Sequence, residues 1–272
     1  MSVWRAAAAS KFLSKKFERD GDGIVSDWFD ESASLFTAEK LFALATVVRG
    51  AQPGAKLIIH PDGAFTGNLD DAALRARIIA DALRLMAQET SETIAYDLDH
   101  VFIETFVPPP RLIIIGGVHT AIPLAQFARI LDFRVTIVDG RGRFATRERF
   151  PDVDELIVEW PDDVIPRLRL DQSTYVVILT HDPKFDLPTL KALSTTQPRY
   201  IGAMGSRETR RQHMAELRAQ GVSDEFLKTV YGPVGLDLGG RSPAEMALAI
   251  MAQIIAVRYN RSGGHLMHAA KE

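Results

Sequence analysis

The sequence predicts an α/β protein: a small α+β domain followed by a Rossmann-like, doubly wound parallel sheet. Three observations predict it. From Arg111 to Asp139 a short apolar run, a glycine turn, an apolar set at helical spacing and a second apolar run follow one another, and the last ends on an acid. Strand-like and helix-like segments then alternate as far as Tyr259. The tract Pro108-Pro-Pro110 separates this region from an N-terminal part with a different pattern. Pro-rich connectors are stiff and extended, so residues 1–107 and 111–272 are the expected domains.

Composition sets the bounds. A chain of 272 residues has ample length for one large core or two modest ones. A formal net charge of −3 implies no general attraction to nucleic acid or to a membrane surface. With no cysteine, disulfides, cysteine metal sites and thiol nucleophiles are all excluded. Ala6–Ala9 is too short and too polar-flanked for an export signal, which favours a cytoplasmic location, and no apolar run is long enough to span a bilayer.

In the N-terminal part, Trp4 to Phe17 has helical character. Asp20-Gly-Asp-Gly23 looks briefly like a calcium loop, but Phe29 stands where a bidentate glutamate is required, so a solvated turn is expected. Trp28 and Phe29 are expected to anchor this arm on the body or on a second subunit. Leu41–Val48 and Lys56–His60 read as strands around the turn Gly50–Gly54. Asn68 or Asp70 is the expected cap of a helix running to about Gln88, with Leu74, Ile78, Ala82 and Leu85 on one face. Thr93–Tyr96 and Val101–Val107 read as two further strands.

The C-terminal part opens on the buried strand Leu112–Ile115, stopped by Gly116-Gly117. A helix carrying Ile122, Leu124, Ala125, Phe127, Ala128 and Leu131 leads to the strand Val135–Val138 and then Asp139. This is the pattern of a mononucleotide-binding βαβ unit. Gly116 supplies the tight turn and Ala121 close helix packing, but Val118 occupies the position where the backbone must approach a pyrophosphate. Asp139 stands where a ribose-binding acid would, followed closely by Arg141. Further on, Leu156–Val158 reads as a strand, Asp162–Leu168 as a helical turn and Tyr175–Thr180 as a strand. Asp186–Leu193 reads as a helix, Arg199–Ile201 as a strand and Ser206–Gln220 as a helix closed by Gly221. The final helix, Ser242 to about Tyr259, opens with Ser-Pro-Ala-Glu, a capping box with proline at the first helical position.

In such sheets ligands lie beyond the carboxyl ends of the strands, where topology brings together Gly116–Thr120, Asp139–Arg143, Thr180–Asp182 and Gly202–Arg207. His119 begins the first helix as a candidate neutral donor. His181 has Asp182, or Asp186, as a candidate carboxylate partner. Gly202-Ala-Met-Gly205-Ser206-Arg207 offers backbone amides, a helix dipole and guanidinium groups to an anion, with Arg210 and Arg211 nearby. Asp237, in the glycine-rich turn Gly235–Gly240, can orient a polar ligand or simply hold the turn. No Ser-His-Asp, zinc or paired-carboxylate arrangement stands out, and the residues define no reaction.

Together these segments resemble the XdhC/CoxI family, accessory proteins of molybdenum hydroxylases such as xanthine dehydrogenase. The resemblance is carried by Pro108-Pro-Pro-Arg-Leu112 with Gly116 and His119-Thr-Ala, and by Val138-Asp139-Gly-Arg141 with Phe144-Ala-Thr-Arg-Glu-Arg-Phe-Pro151. It continues in Thr180-His181-Asp182, in Tyr200 to Arg207, and in Gly235-Leu-Asp-Leu-Gly-Gly240 with Ser242-Pro-Ala-Glu245. Leu44–Arg49, Pro53–Lys56 and Gly67 look similar to the family's first domain. The resemblance implies binding of the molybdenum cofactor (molybdopterin) and its delivery to an apo molybdenum hydroxylase, with a cysteine desulfurase as a second partner and a homodimeric state. A pterin phosphate would suit the seat at Gly205 and Ser206. Two family elements are replaced: Thr66-Gly67-Asn68-Leu69 stands for Gly-Gly-Cys, and Tyr96-Asp-Leu-Asp99 lies where Cys-Gly-Gly is usual. This chain therefore brings no thiolate to molybdenum or sulfur. Two other readings remain open: an NAD(P)-dependent oxidoreductase on the same domain, and a scaffold that binds a partner protein and no small molecule.

Overall fold

A computed structural model describes residues 27–268 of the chain, and the expected Trp4–Phe17 helix and Asp20–Gly23 turn lie outside them. The chain divides into two compact units, residues 1–108 and 109–272.

The first unit is built on an antiparallel sheet of β1 (Phe42–Arg49), β2 (Lys56–Ile59), β3 (Phe65–Gly67), β4 (Glu92–Tyr96) and β5 (Asp99–Phe106), in the order β3-β2-β1-β5-β4. Alternation along the strands gives the sheet two faces. Ala43, Ala45, Leu57, Val101 and Ile103 face α2 (Ala72–Gln88), whose Leu74, Ile78, Ala82 and Leu85 close a core. The cap of α2 is Asp71, whose carboxylate accepts the amides of Ala73 and Leu74. The expected caps do other work: Asn68 accepts the Lys56 amide, and Asp70 accepts from Gln52. Sequence reasoning missed α1 (Asp27–Thr37) as a helix. Glu31 fastens it, accepting from Thr66 Oγ1 at 2.6 Å and meeting His60 Nε2 at 3.2 Å, while Lys56 Nζ sits 4.8 Å from the Trp28 ring. Trp28 thus anchors the chain on its own first unit.

The second unit is a six-stranded parallel sheet in the order β11-β10-β9-β6-β7-β8. Its strands are β6 (Arg111–Ile115), β7 (Arg134–Val138), β8 (Glu155–Ile157), β9 (Thr174–Ile178), β10 (Tyr200–Ala203) and β11 (Val230–Tyr231). The helices are α3 (Ala121–Ile130), α4 (Pro161–Val164), α5 (Pro183–Leu193), α6 (Arg207–Ala219), α7 (Asp224–Thr229) and α8 (Pro243–Arg258). Leu112, Ile114, Val135, Ile137 and Val177 pack under α3 and α8, while Ile113, Ile115, Val138, Val176 and Ile178 pack under α4 to α7. Helices cover both faces, as doubly wound sheets require. The Ser242–Glu245 capping box of α8 is formed. α5 begins three residues earlier than expected because Asp182, accepting the Lys184 amide, caps it ahead of Pro183. The pair α7–β11 went unread; a two-residue strand carries no periodicity.

Candidate functional site

At the carboxyl end of β6 the chain turns at Gly116, with φ +98°. A Cβ there would lie 2.6 Å from the Thr180 methyl, so the turn and the end of β9 are in contact through a bare Cα. Gly117 is equally confined: a Cβ would sit 2.5 Å from the Phe144 carbonyl oxygen. Gly117→Ala should therefore destabilise the second unit by about 1–3 kcal/mol, readable as a lowered urea midpoint. Val118 packs against the apolar core beneath α3.

The Asp139 side chain is fully buried and its oxygens are occupied. Oδ2 accepts the Gly117 amide at 2.8 Å and Arg141 Nη2 at 2.8 Å; Oδ1 accepts the Arg141 amide and Nε, both at 2.9 Å. Burial alone would raise this acid's pKa, but the hydrogen bonds from Arg141 and Gly117 outweigh it and hold it below the ordinary carboxylate range. The expected ribose-binding role is corrected here: the carboxylate binds its own turn and leaves no lone pair directed at a dinucleotide. Val118 packs against the core and the Thr180 methyl lies against Gly116, so both fill the space beside the turn.

Arg141 extends from that ion pair between two rings, 4.3 Å from the Phe144 centroid and 4.8 Å from Phe185. Trp160 stacks on Phe185 at 4.4 Å with an interplanar angle of 22°. Below this column Thr180 Oγ1 donates to Asp186, a carboxyl only 2% exposed. Burial pushes the Asp186 pKa up to about 7, the Thr180 hydrogen bond works against that, and the neighbouring charge of Asp182 adds to it. The expected His181 pairing is also corrected. Asp182 is committed to its helix cap and Asp186 to Thr180, while His181 and His119 are exposed and hydrogen-bond to no described residue.

The Gly205 turn lies elsewhere. Strand order sets β10 two places from β6, roughly 10 Å along the sheet. Gly202 is buried against Val234 and Tyr200 and has no open side for a ligand. Ser206 caps α6 by accepting the Thr209 amide. Arg207 is exposed, Arg211 pairs with Glu208, and Arg210 donates to the Val230 carbonyl. Gly205 itself lines an open cleft of about 590 Å³, walled by Met204, Val234, Asp237, Gly239, Gly240 and Arg241 among others. Its wall is well fixed: Gln253 Oε1 accepts both the Gly235 amide and the Tyr200 hydroxyl, and Leu236 N donates to Ala249 O. Glu245 accepts the amides of Ser242 and Arg241, and these bonds, with that of the Ser242 hydroxyl, lower its pKa. The amides of Gly239 and Gly240 bond to no acceptor among the described residues. Asp237 and Gly205 are thus brought together, with Arg241 as a third member. The basic residue directly after Gly239-Gly240 was the signal for it. The described residues contain no cluster of metal-ligating side chains and no helix long and apolar enough to cross a membrane.

Comparison with known proteins bears on both units. The model of the XdhC Rossmann domain matches residues 112–254, and that of the XdhC and CoxI family matches residues 35–97. The chain is 27% identical over 259 residues to YqeB of Escherichia coli, covering 88% of this chain and 48% of that protein. It is 30% identical over 159 residues to a probable xanthine dehydrogenase subunit of Bacillus subtilis, covering 58% of this chain and 46% of that one. Over 93 residues, 34% of this chain and 29% of the relative, it is 32% identical to the molybdenum cofactor insertion chaperone PaoD of Escherichia coli. The matches thus span at most about half of each relative's length. A crystal structure described as a xanthine dehydrogenase from Bacillus halodurans shares the fold, with a TM-score of 0.52 at 20% identity over 88% of this chain and 98% of that one. With a family model for each unit, and the Rossmann model alone covering more than half of the sequence, the chain belongs to the XdhC/CoxI family.

Proposed function

We propose that this protein binds the molybdenum cofactor and assists the maturation of a xanthine dehydrogenase-type molybdenum hydroxylase, as a carrier rather than a catalyst. The observation that carries this reading is the cleft beside Gly205, in a chain related to a molybdenum cofactor insertion chaperone. Its volume suits a small organic cofactor. Unbonded amides at Gly239 and Gly240, the Arg241 guanidinium and the positive end of α6 suit the phosphate of a pterin. Met204, Val234 and Met246 give the ring system an apolar wall. Molybdenum would take no thiolate from this chain, which has none. The grip is therefore on the organic part, and the sulfur that completes the metal centre comes from a second protein such as a cysteine desulfurase. A homodimer working in the cytoplasm completes the reading.

The test is direct. The purified full chain is mixed with molybdenum cofactor released from a molybdoenzyme, filtered, and assayed for bound molybdenum and pterin. Arg241→Glu should lower retention at least about tenfold, the loss of one charge-assisted phosphate contact. Retention by neither the natural chain nor the variant removes the carrier reading; equal retention by both moves the seat elsewhere.

A further inference from the structure

A second, smaller space adjoins the cleft behind the Gly205 turn. It measures about 10 Å³, room for one water-sized group, and Met204 and Gly205 belong to both walls. It lies at the carboxyl ends of β10 and β11, under the first turns of α6, on the side of a parallel sheet where ligands bind. Gly205 puts no side chain between the two spaces.

The lining side chains are apolar except for two from α6, Arg210 and His213, three residues apart and so on one face of the helix. Arg210 Nε is buried and bonds to no described residue, although Nη2 of the same guanidinium donates to the Val230 carbonyl at 3.2 Å. His213 is 7% exposed, and its ring also bonds to no described residue. Burial lowers its pKa against the pull of Glu216, so near neutral pH the ring is uncharged and carries one N–H donor. A Cβ at Gly232 would stand 3.3 Å from Arg210 Nε and 3.0 Å from its Cδ, so the bare glycine keeps this space open.

A buried guanidinium N–H left without an acceptor is costly, and folded proteins normally supply what such a group lacks. Water is a poor match here. It donates as well as accepts, and two carbonyls bordering the space are already taken: Val230 O by Arg210 Nη2 and Ala203 O by Val234 N. An atom that only accepts, and carries negative charge, matches the guanidinium and the imidazole N–H together. A whole phosphate is too large for about 10 Å³, but one of its oxygens is not.

We propose that this space is an oxyanion seat, in which Arg210 and His213 hold one oxygen of a phosphate or phosphate ester whose remaining atoms lie in the cleft. The seat is preorganised, because the Val230 carbonyl already fixes the guanidinium. It does not depend on which phosphate ester the cleft takes, so the carrier reading can fail with the seat intact.

The test uses inorganic phosphate as the probe. The full chain, in buffer free of chloride and of other oxyanions, is titrated by calorimetry, and saturable binding is expected. Arg210→Gln and His213→Phe should each weaken it at least about tenfold, and Gly232→Ala, which fills the space, should do the same. Arg218→Gln removes a charge from the far end of α6, where Arg218 pairs with Asp224, and should leave the affinity unchanged. Each variant is judged only where its circular dichroism matches that of the natural chain, and one folded variant suffices. Undiminished affinity in a folded Arg210→Gln or His213→Phe, an equal loss in Arg218→Gln, or no saturable binding overturns the seat. Phosphate binding lost only in Arg241→Glu would place the anion on the opposite wall and overturn it as well. Retention of molybdenum cofactor is measured separately, so failure of the carrier reading leaves the phosphate result readable.

Discussion

Replacing Asp139 with alanine should cost about 3–5 kcal/mol of unfolding free energy, the largest loss expected from one side chain in this protein. Four donor contacts from Gly117 and Arg141 converge on a carboxylate with no solvent exposure. Removing it strands two backbone amides inside the turn and releases Arg141 from the aromatic column. Urea denaturation followed by far-ultraviolet circular dichroism measures the effect, and a loss below about 1 kcal/mol would contradict the structural role of Asp139. The acid window follows from the direction of the shift. The folded pKa lies below the ordinary 3.8, so the stabilisation is fully present above pH 3.8 and disappears as pH falls through the lower folded value.

The second large effect has the opposite sign. Asp186→Asn should stabilise the protein at pH 8. The folded pKa of this acid is raised from 3.8 to about 7, so the folded state holds a proton that the unfolded chain releases. Its contribution is fully present below pH 3.8, falls across the interval up to pH 7, and is lost above it. The displacement corresponds to roughly 4 kcal/mol as an upper bound. Asparagine keeps an acceptor for Thr180 without a charge to bury, so a gain on the order of 2–4 kcal/mol is expected at pH 8. At pH 4 the gain should nearly vanish. Thermal melts of both proteins at the two pH values decide it; an equal difference at both would show that ionisation of Asp186 is not the cause.

Much of the second unit was legible because its signals are local. The run Leu112–Ile115, the glycines after it and the spacing from Ile122 to Leu131 each lie within one element and specify it. The capping box at Ser242 is four consecutive residues and appeared as read. The site was legible only in pieces. Asp139 is legible as an acid closing a strand, where a ribose-binding acid would stand, but which way a carboxylate points at a strand end depends on the turn that follows. Here Arg141 curls back two residues to claim it. His181 and Asp182 are neighbours in sequence that cannot face each other once Asp182 begins a helix. The distance between the Gly116 and Gly205 turns depends on strand order, and nothing near either turn announces that β9 comes between β6 and β10. Phe185 and Trp160 were passed over because ordinary core aromatics have the same sequence signature.

The contact between Thr180 and Gly116 also bears on protein engineering. A designer wishing to install dinucleotide affinity on this scaffold could not do so by adding a phosphate loop. The Thr180 methyl, the Val118 isopropyl group and the Asp139–Arg141 bond would all have to be dismantled, and each is part of the packing that holds β6, β7 and β9 together. Seating a pyrophosphate there would mean rebuilding the junction of three neighbouring strands, not exchanging one loop.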